Sequence, residues 1–146
     1  MFYGEFFHSV DRKGRIIMPS KFREAAKGNF IEKFFVTRGL DKCLFMFPEE
    51  EWKTQEAKFR AIPFTKQESR VFNRLFFSGA AEIIPDKQGR ILLPQYLKDF
   101  AELKKDIVVV GVSSRIEIWG QETWKQFYGT WRPSFEEIAE KLIENQ

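Results

Sequence analysis

The sequence predicts a mainly β protein with helices, an α+β fold built from two copies of one unit. An internal repeat is the main observation, because residues 11–19 recur at 86–94 with Asp, Gly, Arg, Ile and Pro in the same places. The 146 residues are 43% apolar, which is enough to fill a core. Further matched landmarks are Phe2 and Gly4 with Phe77 and Gly79, residues 44–47 with 116–119, and Trp52 with Trp124.

Each copy predicts the same order of elements: a strand, a tight turn, a short apolar strand, a short helix and a β-hairpin. Gly14 and Gly89 suit the turns because glycine readily adopts a positive φ angle. Proline then ends each short strand, since it has no N–H to donate to a ladder. The predicted segments are strands 16–18, 34–37 and 44–47 with helix 21–27, and strands 91–93, 107–111 and 115–119 with helix 95–100.

Helices are predicted between the copies and after the second copy. Pro48 and three glutamates open a helix that runs to Pro63, since negative charge stabilises the positive end of the helix dipole. Thr65 and Ser134 each begin a capping-box pattern, which predicts a helix through 71–76 and a C-terminal helix. An apolar stripe on the latter predicts packing on this chain or on a neighbouring copy: Phe135, Ile138, Ala139, Leu142 and Ile143. The predicted division is repeat 1 at 5–48, a helical insert at 49–76, repeat 2 at 77–120 and a helical tail at 121–146.

Three adjacent phenylalanine pairs predict a second apolar surface. Neighbours on a strand face opposite sides, so one ring of each strand pair should leave the local core. Such a surface favours an oligomer interface. Stacking platforms for single-stranded nucleic acid are the alternative, although the pairs lie away from the basic turns. The pairs are Phe6-Phe7, Phe34-Phe35 and Phe76-Phe77.

The inventory of reactive side chains argues against an enzyme, a cofactor or a metal site. His8 is the only histidine and has no sequence partner to orient it, which favours a half-exposed strand residue. Cys43 precedes three apolar residues and predicts a buried thiol, and one Cys with one His cannot build an ordinary zinc site. Neither a phosphate-binding loop nor a dinucleotide fingerprint is present. Asp11 and Asp86 could be a carboxylate pair, but an arginine four residues after each favours aspartates that accept hydrogen bonds from the turn backbone or the guanidinium.

Several features predict a cytoplasmic protein with a polyanion as partner. The longest apolar run, 107–112, is too short for a membrane helix of about 20 residues. Glu5 stands where a signal peptide would be basic or apolar, and a single cysteine fits a reducing compartment. Residues 11–27 carry six basic and two acidic side chains, whereas 121–146 carry three and five.

Basic side chains crowd both turns and predict a surface for double-stranded DNA. Cations on a strand–turn–strand ribbon can neutralise phosphates, and such a ribbon can enter a major groove. Arg15 and Arg90 would either contact the O6 and N7 edge of guanine or hold the hairpins, and Gln88 would read adenine or be solvated. The predicted DNA-contacting residues are Arg12, Lys13, Arg15, Lys87, Gln88 and Arg90, and the predicted turn-orienting residues are Asp11, Gly14, Asp86 and Gly89.

These motifs resemble the MraZ family, which is related to AbrB-type DNA-binding proteins. The resemblance rests on Met1-Phe2-x-Gly4-Glu5-Phe6, both Asp-x-x-Gly-Arg turns with their Ile-x-x-Pro sequels, Phe77-Ser78-Gly79-Ala80-Ala81 and 115–119, and covers residues 1 to about 124. It implies two AbrB-like repeats that interlock as a pseudo-twofold swapped-hairpin β-barrel within one chain.

The resemblance also implies a nucleoid-associated transcriptional regulator, usually a repressor, of the bacterial division and cell wall gene cluster. Family members form closed rings of many subunits and bind short tandem G-containing promoter boxes. We therefore expect promoter DNA and further copies of the chain as partners, and no membrane, small-molecule substrate, cofactor or metal. A protein-interaction scaffold on the same barrel, without DNA specificity, is the alternative. Box preference and salt-dependent binding distinguish the two.

Overall fold

A computed structural model describes residues 1–25 and 33–145. The described strands are β1 (Phe2–Ser9), β2 (Arg15–Ile17), β3 (Phe34–Arg38), β4 (Leu44–Pro48), β5 (Ala81–Ile83), β6 (Arg90–Leu92), β7 (Asp106–Ser113) and β8 (Arg115–Gly120). The described helices are α1 (Ser20–Ala25), α2 (Glu49–Arg60), α3 (Gln67–Ser78), α4 (Gln95–Phe100), α5 (Gln121–Trp131) and α6 (Phe135–Glu144), with a 3-10 turn (Arg132–Ser134) between the last two. Each of these helices is too short or too polar to span a bilayer.

The two copies of the repeat are interleaved in one antiparallel sheet. Its strand order is β1–β7–β8–β4–β3–β5, while β2 pairs with β6 in a separate two-stranded sheet. The hairpin β7–β8 of the second copy thus lies between β1 and β4 of the first. Each half therefore depends on the other for its backbone hydrogen bonds.

The closed barrel implied by the resemblance is not formed by the described residues. β1 and β5 end the sheet at opposite edges and do not pair with each other. β5 has only three residues, and Pro85 follows soon after it without the N–H that would extend the ladder. Side-chain packing covers the open face instead, because β2, β6, α1 and α4 all contribute to the core beneath the sheet.

The larger core lies between this sheet face and the β2–β6 pair. Ile16 of β2 and Ile91 of β6 are 1% and 2% exposed. Phe22 of α1 is also buried and meets Phe2 and Phe6 of β1 edge-on, with ring centroids 5.6 and 5.1 Å apart. The opposite face of the sheet is covered by α2 and α3 on β3 and β4, and by α5 on β7 and β8.

Most predicted elements are confirmed within two residues. The hairpin strands and the helix predicted over 95–100 match β3, β4, β7, β8 and α4, while β2 and β6 begin one residue early. The helix predicted over 21–27 begins at Ser20, and its positions 26–27 lie outside the described residues. α2 ends at Arg60, before Pro63. The domain boundaries remain a prediction.

The predicted capping boxes mark helix starts but form no caps. α6 begins at Phe135, directly after Ser134, whereas α3 begins at Gln67, two residues after Thr65, with Lys66 at its N-cap. Neither helix has a side-chain hydrogen bond at its N-cap. The patterns therefore place the start of α6 correctly and that of α3 to within one residue, but the hydrogen bonds of a capping box are not formed.

The Phe76-Phe77 pair lies on α3, so the strand alternation predicted for it is wrong. Both rings pack on Trp52 of α2, with centroids 5.6 and 5.5 Å away. Phe2 and Phe77 match in the sequence repeat but lie in different elements, because Phe2 is in β1 and Phe77 is in α3. The alternation holds in β1 and β3. Phe7 is 56% exposed, and Phe35 leaves the larger core to stack on Trp52 at 5.2 Å.

Close packing of β1 on β7 leads to a stability prediction at Gly111. A Cβ there would lie 2.3 Å from the backbone nitrogen of Tyr3, so Gly111→Ala must displace β1. We expect a loss of about 2–3 kcal/mol in the free energy of unfolding, measured in urea. Gly129→Ala on α5 is the matched control, because its added methyl meets nothing within 4 Å and alanine favours helix by about 1 kcal/mol. Wild-type stability in Gly111→Ala would contradict the β1–β7 register.

Candidate nucleic-acid interface

The first basic turn is built around Asp11. Its Oδ1 accepts hydrogen bonds from the backbone N–H groups of Lys13 at 2.9 Å and Arg15 at 2.8 Å, and its Oδ2 accepts one from Arg15 Nε at 2.8 Å. The Gly14 N–H donates to the Asp11 carbonyl at 2.9 Å, with Gly14 at a φ of 80°. The aspartate thus binds both the turn backbone and the guanidinium, the two options that the sequence left open.

The second turn repeats this geometry around Asp86. Its Oδ1 accepts from the N–H groups of Gln88 and Arg90 at 2.9 Å each, and its Oδ2 accepts from Arg90 Nε at 2.7 Å. Gly89 has a φ of 79°. The same atoms therefore make the same bonds in both turns. We call this arrangement, in which the aspartate binds both the turn backbone and the Nε of the arginine, the clasp.

These hydrogen bonds lower the pKa of both aspartates. The backbone N–H of Arg15 has the largest effect on the pKa of Asp11, and that of Arg90 on the pKa of Asp86, with the guanidinium and a second backbone N–H acting in the same direction. Because the folded-state pKa lies below the unfolded one, the clasp stabilises the fold above the ordinary aspartate pKa. That stabilisation is lost as the pH falls through the lowered pKa, so both turns are clasped at neutral pH.

Pairing of β2 with β6 joins the two turns into one ribbon. The register places Ile16 opposite Ile91, which are equivalent residues of the two copies, so the turns lie at opposite ends of the ribbon. Arg15 and Arg90 are offset by two residues along it, about 7 Å at a rise of 3.4 Å per residue.

The predicted DNA-contacting side chains all reach the surface of this ribbon. Those at the turn tips are exposed: Arg12, Lys13, Lys87 and Gln88. The side chains of Arg15 and Arg90 are 27% and 29% exposed, because the aspartates hold their Nε atoms. The Oε1 of Gln88 accepts a hydrogen bond from Arg90 Nη2 at 2.5 Å, so Gln88 supports the arginine.

Two basic residues that the sequence analysis did not select lie against the turns. Lys98 of α4 donates from Nζ to the Gly14 carbonyl at 3.2 Å. The Arg23 guanidinium of α1 lies against the other turn, since a Cβ at Gly89 would be 2.7 Å from it. Each turn therefore has a brace, a cation from the other copy that contacts it: Lys98 through a hydrogen bond, and Arg23 by packing, since the buried Arg23 Nε has no hydrogen-bond partner among the described residues. The signal was available, because Arg23 and Lys98 are separated by the same 75 residues as the turns.

Two apolar side chains on the outer face of the ribbon were also missed. Ile17 lies opposite Arg90 and Leu92 lies opposite Arg15, which places all four on one face. Ile17 is 47% exposed and Leu92 58% exposed. They too are equivalent residues of the repeat. The sequence analysis assigned them to an apolar strand without asking which face they occupy.

The remaining reactive groups lie outside this surface. Cys43 is buried, its Sγ donates to the Leu40 carbonyl at 3.0 Å, and burial raises its pKa. His8 is half-buried in β1, as predicted. Among the described residues, no three His, Cys, Asp or Glu side chains lie close enough together to hold a metal ion.

Comparison with known proteins places both copies in one family. The family described as "MraZ protein, putative antitoxin-like" matches twice, over residues 1–75 and 76–146. The two successive matches confirm the predicted repeat.

Full-length relatives agree with this match. "Transcriptional regulator MraZ" of Carboxydothermus hydrogenoformans is 52% identical over 144 residues, which cover 99% of this chain and 98% of the relative. The proteins of that name from Acetivibrio thermocellus and Heliobacterium modesticaldum are 54% and 50% identical, covering 97% and 99% of this chain and 96% and 98% of their own lengths. These relatives are regulators, which confirms the prediction that the chain is not an enzyme. With half of its residues identical over nearly its whole length, the chain belongs to the MraZ family of transcriptional regulators.

Proposed function

We propose that the chain is a sequence-specific repressor that binds double-stranded DNA upstream of the division and cell wall gene cluster. The observation that carries the proposal is the ribbon itself, with two exposed, identically clasped basic turns at its ends. Membership of a regulator family supports the assignment. We place the protein in the cytoplasm, on the nucleoid.

Charge and shape both suit the major groove. The two turns and their braces present seven cations and two carboxylates: Arg12, Lys13, Arg15, Arg23, Lys87, Arg90 and Lys98 against Asp11 and Asp86. A surplus of five positive charges attracts the phosphate backbone. The groove is about 12 Å wide and admits a two-stranded ribbon.

The side chains on the outer face of the ribbon contact the base edges in the groove. With Nε held by aspartate, the Nη atoms of Arg15 and Arg90 form the fork that matches O6 and N7 of guanine. Their offset of about 7 Å along the ribbon corresponds to about two base-pair steps of 3.4 Å. Ile17 and Leu92 sit beside them and suit the C5-methyl group of thymine. Arg12, Lys13 and Lys87 contact phosphates.

A single ribbon covers a short box and binds it weakly. A closed ring of copies presents several ribbons to tandem G-containing boxes, and linked contacts multiply the affinity. The ring and the tandem boxes are therefore parts of one proposal.

Selection of bound sequences from random duplexes tests the partner, the box and its spacing together. We expect repeated short boxes that contain guanine. A pool without sequence preference, together with binding that does not vary with salt, would instead identify a protein-interaction scaffold.

The phosphate contacts predict a specific effect on salt dependence. Arg12→Ala, Lys13→Ala and Lys87→Ala should each reduce the slope of log affinity against log salt by about one, because each removes one neutralised phosphate. The preferred box should not change. Lys125→Ala on the exposed side of α5 is the control and should leave the slope as it is. An unchanged slope in all three variants would exclude these contacts.

The arginine forks predict a loss of specificity without a loss of charge. Arg15→Lys and Arg90→Lys keep the cation but cannot make the bidentate contact to guanine. Each should reduce the ratio of box to random-duplex affinity about tenfold or more, measured by fluorescence anisotropy, with the salt slope retained. A wild-type ratio in both variants would leave the arginines with only a structural role.

The aspartate clasps predict an effect opposite to simple electrostatics. Asp11→Asn and Asp86→Asn remove negative charge beside DNA, which by itself strengthens binding to any duplex. We expect random-duplex affinity to stay level or rise while box preference falls, because Arg15 and Arg90 lose their anchor. Asp99→Asn on α4, where the carboxylate accepts from Gln95, is the control. Tighter binding with full box preference would show that the clasp does not position the arginines.

A further inference from the structure

We propose that Gln88 is a specificity residue, which donates to a base beside the guanine contacted by Arg90 and selects against cytosine there. This inference rests on the proposed DNA binding and names a base that one end of the ribbon selects. The first turn has no equivalent contact, so the ribbon binds its box in one orientation.

The side-chain amide of Gln88 is fixed by the arginine beside it. Its Oε1 accepts a hydrogen bond from Arg90 Nη2 at 2.5 Å, while Arg90 Nε donates to Asp86 at 2.7 Å. A guanidinium has five N–H groups, so two on Nη1 and one on Nη2 remain for a ligand. Arg90 therefore keeps a fork for O6 and N7 of guanine, on a side chain that is held at two points.

A glutamine bound in this way presents donors to DNA. The usual contact to adenine needs both ends of the amide, because the oxygen accepts from N6 while the nitrogen donates to N7. In Gln88 the oxygen points at the guanidinium, which leaves the N–H groups of Nε2 for a base. Guanine presents two acceptors in the major groove, O6 and N7, whereas cytosine presents only the N4 donor. Gln88 therefore favours guanine and disfavours cytosine.

The first turn cannot make this contact, because Lys13 stands in place of Gln88. An ammonium group has three donors and no acceptor, so Lys13 cannot hold the guanidinium of Arg15. Repulsion between the two cations favours a phosphate contact for Lys13 instead. The two turns thus have the same clasp but different contacts at their tips.

The backbone of the second turn is also fixed more firmly to the ribbon. The Gly89 carbonyl accepts the backbone N–H of Met18 at 2.8 Å. The Gly14 carbonyl instead accepts from the flexible side chain of Lys98, at 3.2 Å. Gly89 is buried, whereas Gly14 is half-buried. A group that is already fixed loses less entropy on binding, so we expect the second turn to discriminate between bases more strictly.

The register of the ribbon fixes where the additional base lies. Arg15 and Arg90 lie at opposite ends of the paired strands. Gln88 precedes Arg90 in the chain, so it lies beyond Arg90 on the side away from Arg15. The base selected by Gln88 therefore lies outside the interval between the two guanines, at one end of the box only.

Selection of bound sequences from random duplexes with Gln88→Glu tests this contact. The variant keeps an acceptor for Arg90 but replaces the amide donors by a carboxylate oxygen, which accepts from N4 of cytosine. We expect the wild type to disfavour cytosine about tenfold at the outer position, and Gln88→Glu to prefer it by a similar factor. Gln126→Glu on the exposed side of α5 is the control, since it makes the same change of charge and should select the wild-type box.

A second variant, Gln88→Met, removes the acceptor and the donors without adding charge. We expect it to lose the preference at the outer position. Selection of the guanine under Arg90 should weaken, because the guanidinium loses one of its two anchors, while the guanine under Arg15 is selected as before. Both variants should fold as the wild type does, seen by circular dichroism, because the side chain of Gln88 is exposed.

The outcomes separate this inference from the proposed function. A wild-type box with cytosine, adenine or no preference at the outer position would overturn the role of Gln88 and leave DNA binding in place. Variants that select the wild-type box, or that alter both ends of it, would do the same. A wild type that selects no box at all would count against both the role of Gln88 and the proposed function.

Discussion

The pairing of β2 with β6 holds the two halves of the molecule and both basic turns in one register. Each strand has only three residues and would be marginal without its partner and the core beneath it. Ile16 and Ile91 are almost fully buried, which stabilises the fold by about 1.5–3 kcal/mol per side chain. A slip of one residue would turn both isoleucines to solvent and both clasped arginines toward the core. The burial of Ile16 and Ile91 thereby places Arg15 and Arg90 on the outer face of the ribbon.

The seven cations of the two turns and their braces repel one another, so the turns need bonds that hold their backbone and side chains in place. Asp11 and Asp86 supply these bonds by binding the turn backbone and the guanidinium at once. A turn that is already rigid loses less conformational entropy when it meets a ligand. The braces from Arg23 and Lys98 cross between the copies, so neither turn is ordered by its own repeat alone.

The two halves have the same order of elements but bury their helices differently. α3 packs on the sheet, where Phe76 is buried and its carbonyl accepts a hydrogen bond from Thr37. α6 follows α5 as α3 follows α2, yet no residue of α6 is buried. The first half therefore buries part of the apolar face of α3 through Phe76, whereas the apolar stripe of α6 stays uncovered within the chain.

The sequence by itself determined the repeat, the two glycine turns, the aspartate–arginine pairs and most strands and helices. The repeat follows from comparing segments 75 residues apart, and the other features depend on neighbours within about five residues, such as Asp11 with Arg15 or Pro94 with the start of α4. The opposite orientation of neighbouring rings in Phe6-Phe7 and Phe34-Phe35 followed from the same local rules.

Only the tertiary structure decided which distant segments meet. It leaves the sheet open, places Phe76 and Phe77 on a helix, sets Arg23 and Lys98 against the opposite turns, and turns Ile17 and Leu92 outward beside the arginines. It also leaves the stripe of α6 exposed. Apolar spacing in a sequence reports that a face must be buried, but the surface that buries it depends on packing between segments far apart in the chain, which local spacing does not encode.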